Sequence, residues 1–174
     1  MKHLAMFTQA CPLCKKNTFD TDLYETLIPH FGKTLIYVMR CKCGYKMTDI
    51  GSFEDKEPVR YELTIEGNLD SRVIKGSMGK VIIPGIIESE GGLFSEGYIT
   101  NIEGVLRRLL DVLEFIRRYE KPSLKGQIDR RIKRINDTIE GKARLTLIIE
   151  DYTGNSAIIS GKAKREVLPE SSHQ

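Results

Sequence analysis

At 174 residues, 29% charged and 7% aromatic, with no Trp and a net charge of +3, the chain reads as a soluble protein with an aliphatic core. It has room for one ordinary domain and a small metal-stapled one, and its mild positive charge does not by itself argue for nucleic acid. No apolar run is long enough to span a bilayer, and the opening MKHLAMFTQA holds none of signal-peptide length, so a cytoplasmic location is expected.

Residues 1–55 read as a metal module. Cys11 and Cys14 bracket a first turn. Leu23–Ile28 reads as a strand, Pro29 and Gly32 mark a turn, and Thr34–Met39 is a β-branched and aromatic strand that delivers Cys41 and Cys43. Tyr45–Ile50 returns as a third strand. Gly51–Pro58 is polar and ends in Pro, the composition of a linker.

A β-rich region with an inserted helical hairpin is expected over 56–170. Arg60–Ile65 alternates polar with apolar, and Arg72–Lys75, Lys80–Ile83 and Tyr98–Ile99 are further short strands. At Thr100-Asn101-Ile102-Glu103 the period changes, with a capping-box pattern in which Glu103 reaches back to the cap. Ile102, Val105, Leu106, Leu109, Leu110, Leu113 and Ile116 recur at helical spacing to about Tyr119. After Pro122, the residues Leu124, Ile128, Ile132, Ile135 and Ile139 define a second helix that Gly141 ends, so the hairpin occupies about 101–141. Strand character resumes at Arg144–Glu150, Asp151–Ser156 has the composition of a turn, and Ala157–Ser160 is a last short strand. The tail, 171–174, is expected to fray. The fold class is α+β, with a late strand suggesting a sandwich or barrel-like sheet.

The four cysteines are the only ones in the chain. Two close pairs joined by strands are what a tetrahedral zinc site needs, each pair approaching the ion from its own turn. Two disulfides are the alternative in an oxidising compartment, but reduced cytosolic thiols favour a metal. Cys11, Cys14, Cys41 and Cys43 are therefore the expected ligands of one structural Zn(II) per chain, closed to water and substrate. The second pair is Cys-x-Cys, so its turn must be tight, and Lys15 stands where such a knuckle usually carries Gly. His30 or His3 is the substitute should Cys41 or Cys43 fail to reach.

Several stretches together resemble the ZPR-type zinc-finger family: Cys11-Pro12-Leu13-Cys14, Ile28-Pro29-His30-Phe31, Cys43-Gly44-Tyr45, Arg72-Val73-Ile74-Lys75, Ile82-Ile83-Pro84, Thr100-Asn101-Ile102-Glu103-Gly104, and Leu145–Asp151 running into Gly154-Asn155-Ser156. The match runs from about residue 10 to 160 in the family order. The resemblance implies a four-cysteine zinc ribbon joined to a β-domain of double-stranded β-helix type with a helical hairpin. Eukaryotic members carry this module twice. This chain carries it once, like a short archaeal-type form. The resemblance also implies a partner, translation elongation factor one-alpha, and a role in its folding.

Other sites are weighed against plainer roles. Tyr45, Arg72, Lys75, Asp151 and Asn155 are candidate partner contacts. The plainer roles are outward strand positions for Arg72 and Lys75, and local hydrogen bonding for the Asp151–Ser156 loop. Between 101 and 144, 12 Lys/Arg stand against 7 Asp/Glu. Arg130, Arg131, Lys133 and Arg134 would carry the alternative function, RNA association, although no aromatic residues interleave to stack bases. Intrahelical pairs such as Glu114–Arg118 are the plainer reading and the favoured one. Catalysis is not expected. His is scarce, no nucleophile–base arrangement occurs, and Gly76-Ser77-Met78-Gly79-Lys80 lacks the spacing of a phosphate loop.

Overall fold

The computed structural model describes residues 1–54, 56–92 and 95–169, so the expected frayed tail, 171–174, lies outside the described residues. The first sheet holds four antiparallel strands in sequential order: β1 (Lys2–Gln9), β2 (Phe19–Ile28), β3 (Gly32–Cys41) and β4 (Lys46–Gly51). β1 was not expected. Its side chains are exposed or half-buried throughout, so it carries no apolar alternation, and its pairing with β2 is what makes it a strand.

The second part is a jelly roll of two antiparallel sheets. One holds β12 (Lys164–Val167), β5 (Val59–Ile65), β10 (Leu145–Asp151), β7 (Lys80–Ile83) and β8 (Ile87–Ser89), in that order. The other holds β11 (Ala157–Ile159), β6 (Arg72–Lys75) and β9 (Tyr98–Asn101). In β10, Leu145 and Leu147 lie opposite Ile65 and Leu63, all buried, and Ile149 continues the same face, while Ile148 is buried on the other. These residues meet Val73, Val81, Ile83 and Ile158 in one aliphatic core.

Two helices complete that core. α1 (Ile102–Tyr119) buries Ile102, Val105, Leu106, Leu109 and Leu113, and α2 (Pro122–Ile139) buries Ile128 and Ile135. The expected capping box is corrected by one residue. The cap is Asn101, whose side-chain oxygen accepts from the Gly104 N–H at 2.8 Å. Glu103 instead pairs with Arg107 one turn on, at 2.6 Å. Gly104 is required there, because a Cβ would stand 2.0 Å from Thr100 Oγ1. α2 starts at Pro122, which suits a first helical position because its missing N–H needs no partner. Among the described residues no helix is long and apolar enough to cross a membrane.

A small core joins the two parts. Ile28 and Ile50 from the first sheet pack with Ile74 of β6, flanked by Phe31, Ile36 and Ile159. Polar groups complete the seam. Thr48 and Gly97 exchange two hydrogen bonds, Thr48 Oγ1 to Gly97 O at 2.6 Å and Gly97 N to Thr48 O at 2.9 Å.

Candidate metal centre

The two knuckles are built by backbone turns at one end of the first sheet. In the first, the Cys11 N–H donates to Lys16 O and the Lys15 N–H returns to Cys11 O, both at 2.9 Å. Lys15 takes the left-handed conformation, φ 62°, that glycine would adopt without strain. In the second, the Gly44 N–H donates to Cys41 O at 2.9 Å and the Cys41 N–H to Tyr45 O at 2.8 Å, with Gly44 at φ 92°. This tight turn is how a Cys-x-Cys pair turns both sulfurs to one side. Phe19, opposite Cys41 in the β2–β3 register, is buried beneath the knuckles, with the Tyr45 ring 5.6 Å away.

The four sulfurs converge. Cys11 Sγ lies 3.8 Å from Cys43 Sγ and Cys14 Sγ lies 3.6 Å from Cys41 Sγ, and all four fall within 4.8 Å of one another. A tetrahedron of sulfurs at the usual zinc–sulfur distance of about 2.3 Å has edges of about 3.8 Å. Disulfide bonding needs about 2.0 Å, and all four thiols are free. The donor set therefore fits a zinc ion with no ligand position to spare.

The electrostatics point the same way. The Cys43 backbone N–H, then the Thr18 hydroxyl 3.2 Å away, lower Cys41 to about 6. The Tyr45 N–H acts to lower Cys43, but the neighbouring Cys41 thiol, burial, Cys14 and Cys11 outweigh it and push Cys43 up to about 12. Four sulfurs this close cannot all ionise unaided, and a divalent cation supplies the missing charge. Neither histidine joins them. His3 contacts Asp22 at 3.2 Å, and His30 sits at the β2–β3 turn, about 30 Å along the strands from the knuckles.

The candidate partner contacts separate on inspection. Arg72 is exposed and Tyr45 is half-buried against Phe19. Lys75 corrects the sequence expectation, being only 3% exposed and not an outward strand position. Its ammonium donates to Gly76 O, Ser95 Oγ and Glu96 O at 3.2, 2.9 and 3.1 Å. Burial lowers it to about 8, against the pull of Asp151 and Asp49. Asp151 is fully buried and accepts from the Thr153 N–H and hydroxyl and the Ser156 hydroxyl at 2.8, 2.6 and 2.5 Å. Asn155 is half-buried, its amide donating to Thr153 Oγ1 at 3.1 Å. The Asp151–Ser156 loop thus folds on itself. Gly154, at φ 68°, leaves no room for a Cβ, which would lie 2.5 Å from Glu57 O.

Asp49 escaped the sequence reading. One of its oxygens accepts from the Ser77 N–H at 2.8 Å and the other from the Ser77 hydroxyl at 2.9 Å. The turn that superficially resembled a phosphate loop thus gives its Ser77 amide to a carboxylate of the other sheet. Nothing in the spacing of Asp49 and Ser77, 28 residues apart, announces the pair.

A four-cysteine ribbon seated on a jelly roll with two helices defines the class: a zinc-finger protein whose metal module and β-domain share a seam. Residues 4–55 match the profile of the ZPR1 zinc-finger domain, and residues 67–171 that of the ZPR1 jelly-roll domain. A ZPR1-like protein of Methanocaldococcus jannaschii is 36% identical over 166 residues, covering 92% of this chain and 84% of that protein. A ZPR1-like protein of Pyrococcus horikoshii is 35% identical over 167 residues, covering 91% and 75%. The zinc finger chaperone zpr1 of Schizosaccharomyces pombe is 32% identical over 157 residues, covering 85% of this chain and 33% of that protein. The chain belongs to the ZPR1 zinc-finger family.

Proposed function

We propose that the chain is a cytoplasmic, non-enzymatic adaptor or folding factor, held by one structural Zn(II), that binds the elongation factor one-alpha type GTPase. Family membership and the chaperone name of the Schizosaccharomyces pombe relative support a protein client. The observation that carries the reading is an apolar patch near the free end of the helical hairpin. Val112, Phe115, Ile116, Tyr119 and Leu124 are all exposed there, with the Phe115 and Tyr119 rings 5.0 Å apart. Water-facing aromatic and aliphatic side chains in one place are what a surface for a protein client offers.

The hydrogen-bonded polar groups at the seam and in the Asp151 loop favour a non-catalytic reading. Lys75, Asp49 and Asp151 each spend their hydrogen-bonding capacity on neighbouring backbone and hydroxyl groups. The test is direct binding of the purified GTPase in its nucleotide-free, GDP and GTP forms, followed by calorimetry. Binding in at least one form that weakens in Phe115→Ser/Tyr119→Ser is expected. Absence of binding in all three overturns the assignment.

A further inference from the structure

The basic residues of the helical hairpin fall into two groups. Arg107 pairs with Glu103, Arg117 with Asp129, Lys133 with Asp137 and Lys142 with Glu140, and Arg108 lies 3.9 Å from Glu96. Among the described residues, Arg118, Lys121 and Lys125, and also Arg130, Arg131 and Arg134, have no carboxylate within ion-pairing distance, and the last three form a set on α2. They are exposed, and with Gln127 they stand at helical spacing on one face of α2, beside the face that buries Ile128 and Ile135. Together with Gly85 and Ile86 of the β7–β8 turn, these four residues line a concavity of about 300 Å³ that contains no acidic group.

We infer that this groove takes an acidic segment of a protein partner, its Asp or Glu carboxylates paired with Arg130, Arg131 and Arg134. The inference rests on the protein-partner reading above and names the chemistry of one patch on that partner. Three guanidinium groups on adjoining turns of one helix repel one another, and a run of carboxylates relieves that repulsion. Each guanidinium fork also matches a carboxylate two bonds at a time. Gly85 takes the left-handed conformation, φ 73°, at the turn that forms the groove's other side. No aromatic side chain lines it, which removes the stacking platform a single-stranded RNA would use. Lys133, paired with Asp137 at 2.5 Å, is not part of the groove. The four residues singled out from the sequence thus reduce to three.

The experiment titrates the zinc-loaded full chain into fluorescein-labelled hexaglutamate and, separately, into a labelled hexauridylate, reading anisotropy at low and high salt. Hexaglutamate is expected to bind in a salt-sensitive way. Affinity should fall about tenfold or more in R130A/R131A/R134A, which removes three charge-assisted contacts, and change by less than about twofold in K133A. Circular dichroism and metal content should be unchanged in both variants, since the altered side chains are exposed. Hexaglutamate that does not bind, or that binds the triple variant equally well, overturns the inference. So does tighter, arginine-dependent binding of hexauridylate, which reassigns the groove to RNA. A chain that binds the GTPase but not hexaglutamate loses this inference alone. Arginine-dependent peptide binding without GTPase binding keeps the groove and removes the GTPase.

Discussion

Asp49, six residues beyond the last cysteine of the ribbon, clamps Ser77 of the jelly roll through two hydrogen bonds of 2.8 and 2.9 Å, one to its backbone N–H and one to its hydroxyl. The same carboxylate accepts the Ile50 N–H at 2.7 Å. One short side chain therefore fixes the last strand of the first sheet and the β6–β7 turn of the other part at once. Asp49→Ala should destabilise the protein by about 2–4 kcal/mol, because it leaves half-buried donors without an acceptor. Ser77→Ala removes one bond and should cost about 1 kcal/mol. Urea titration followed by circular dichroism checks the order, and equal effects would mean the seam is held by its apolar contacts alone.

Metal removal should act locally. The ribbon has a small core of its own, Cys11, Phe19 and Cys41, and depends on the sulfur cluster for its knuckles. Chelation, or Cys14→Ser or Cys43→Ser, should release one zinc per chain and unfold the ribbon while the jelly roll keeps its cooperative transition. Elemental analysis with proteolysis of the apo form reads both. A zinc-free preparation that melts like the loaded one would contradict the structural role.

Lys75 predicts a pH dependence of stability. Burial holds its folded pKa at about 8, below the ordinary 10.5. Between these values the unfolded chain binds more protons than the folded chain, so this residue's contribution to stability rises as pH climbs from about 8 to 10.5. Below about 8 the ammonium is charged in both states, and its desolvation cost is carried in full. The gain over that window is at most on the order of 3 kcal/mol. It should appear as a pH-dependent difference between the wild type and Lys75→Met in parallel denaturation series. A flat difference would show that the amine is hydrated in solution.

The exposed patch of α1 should separate binding from folding. Phe115 and Tyr119 are 61% and 78% exposed, so replacing both by Ser should change stability by less than about 1 kcal/mol. Client binding should fall at least about tenfold, the effect of losing aromatic anchors from an interface. Thermal melts and calorimetry on the same samples test both halves.

Lys15 is a conformational liability at the first knuckle. With φ at 62°, it bears the crowding that a side chain meets in left-handed backbone. Lys15→Gly should stabilise the zinc-loaded form by up to about 1 kcal/mol, offset in part by the greater freedom glycine gives the unfolded chain. A destabilised variant would show that its side chain contributes contacts of its own.

The parts of the fold that could be read from residue order are those with local signals. The cysteine pairs announce the knuckles because ligand spacing is short-range chemistry, and the stripes of α1 and α2 announce the hairpin because 3.6-residue periodicity is local. β1 was illegible because the register with β2, and no buried face of its own, defines it. β8 and β12 are short strands with no buried positions, again without a pattern. The interior position of Lys75 could not be anticipated, since its acceptors at Ser95 and Glu96 lie some 20 residues away and lysine usually marks a surface. The cap was misplaced by one residue because Thr100 and Asn101 are both competent caps and the residue types alone do not choose between them.

Gly97, bonded both ways to Thr48, stands one residue before β9, and β9 runs without a loop from Asn101 into α1. The base of the long helical arm is thereby riveted to the strand that leaves the second cysteine knuckle. Through those two bonds and the unbroken passage from β9 into α1, the foot of the arm is joined to the ribbon's last strand with no loop between them.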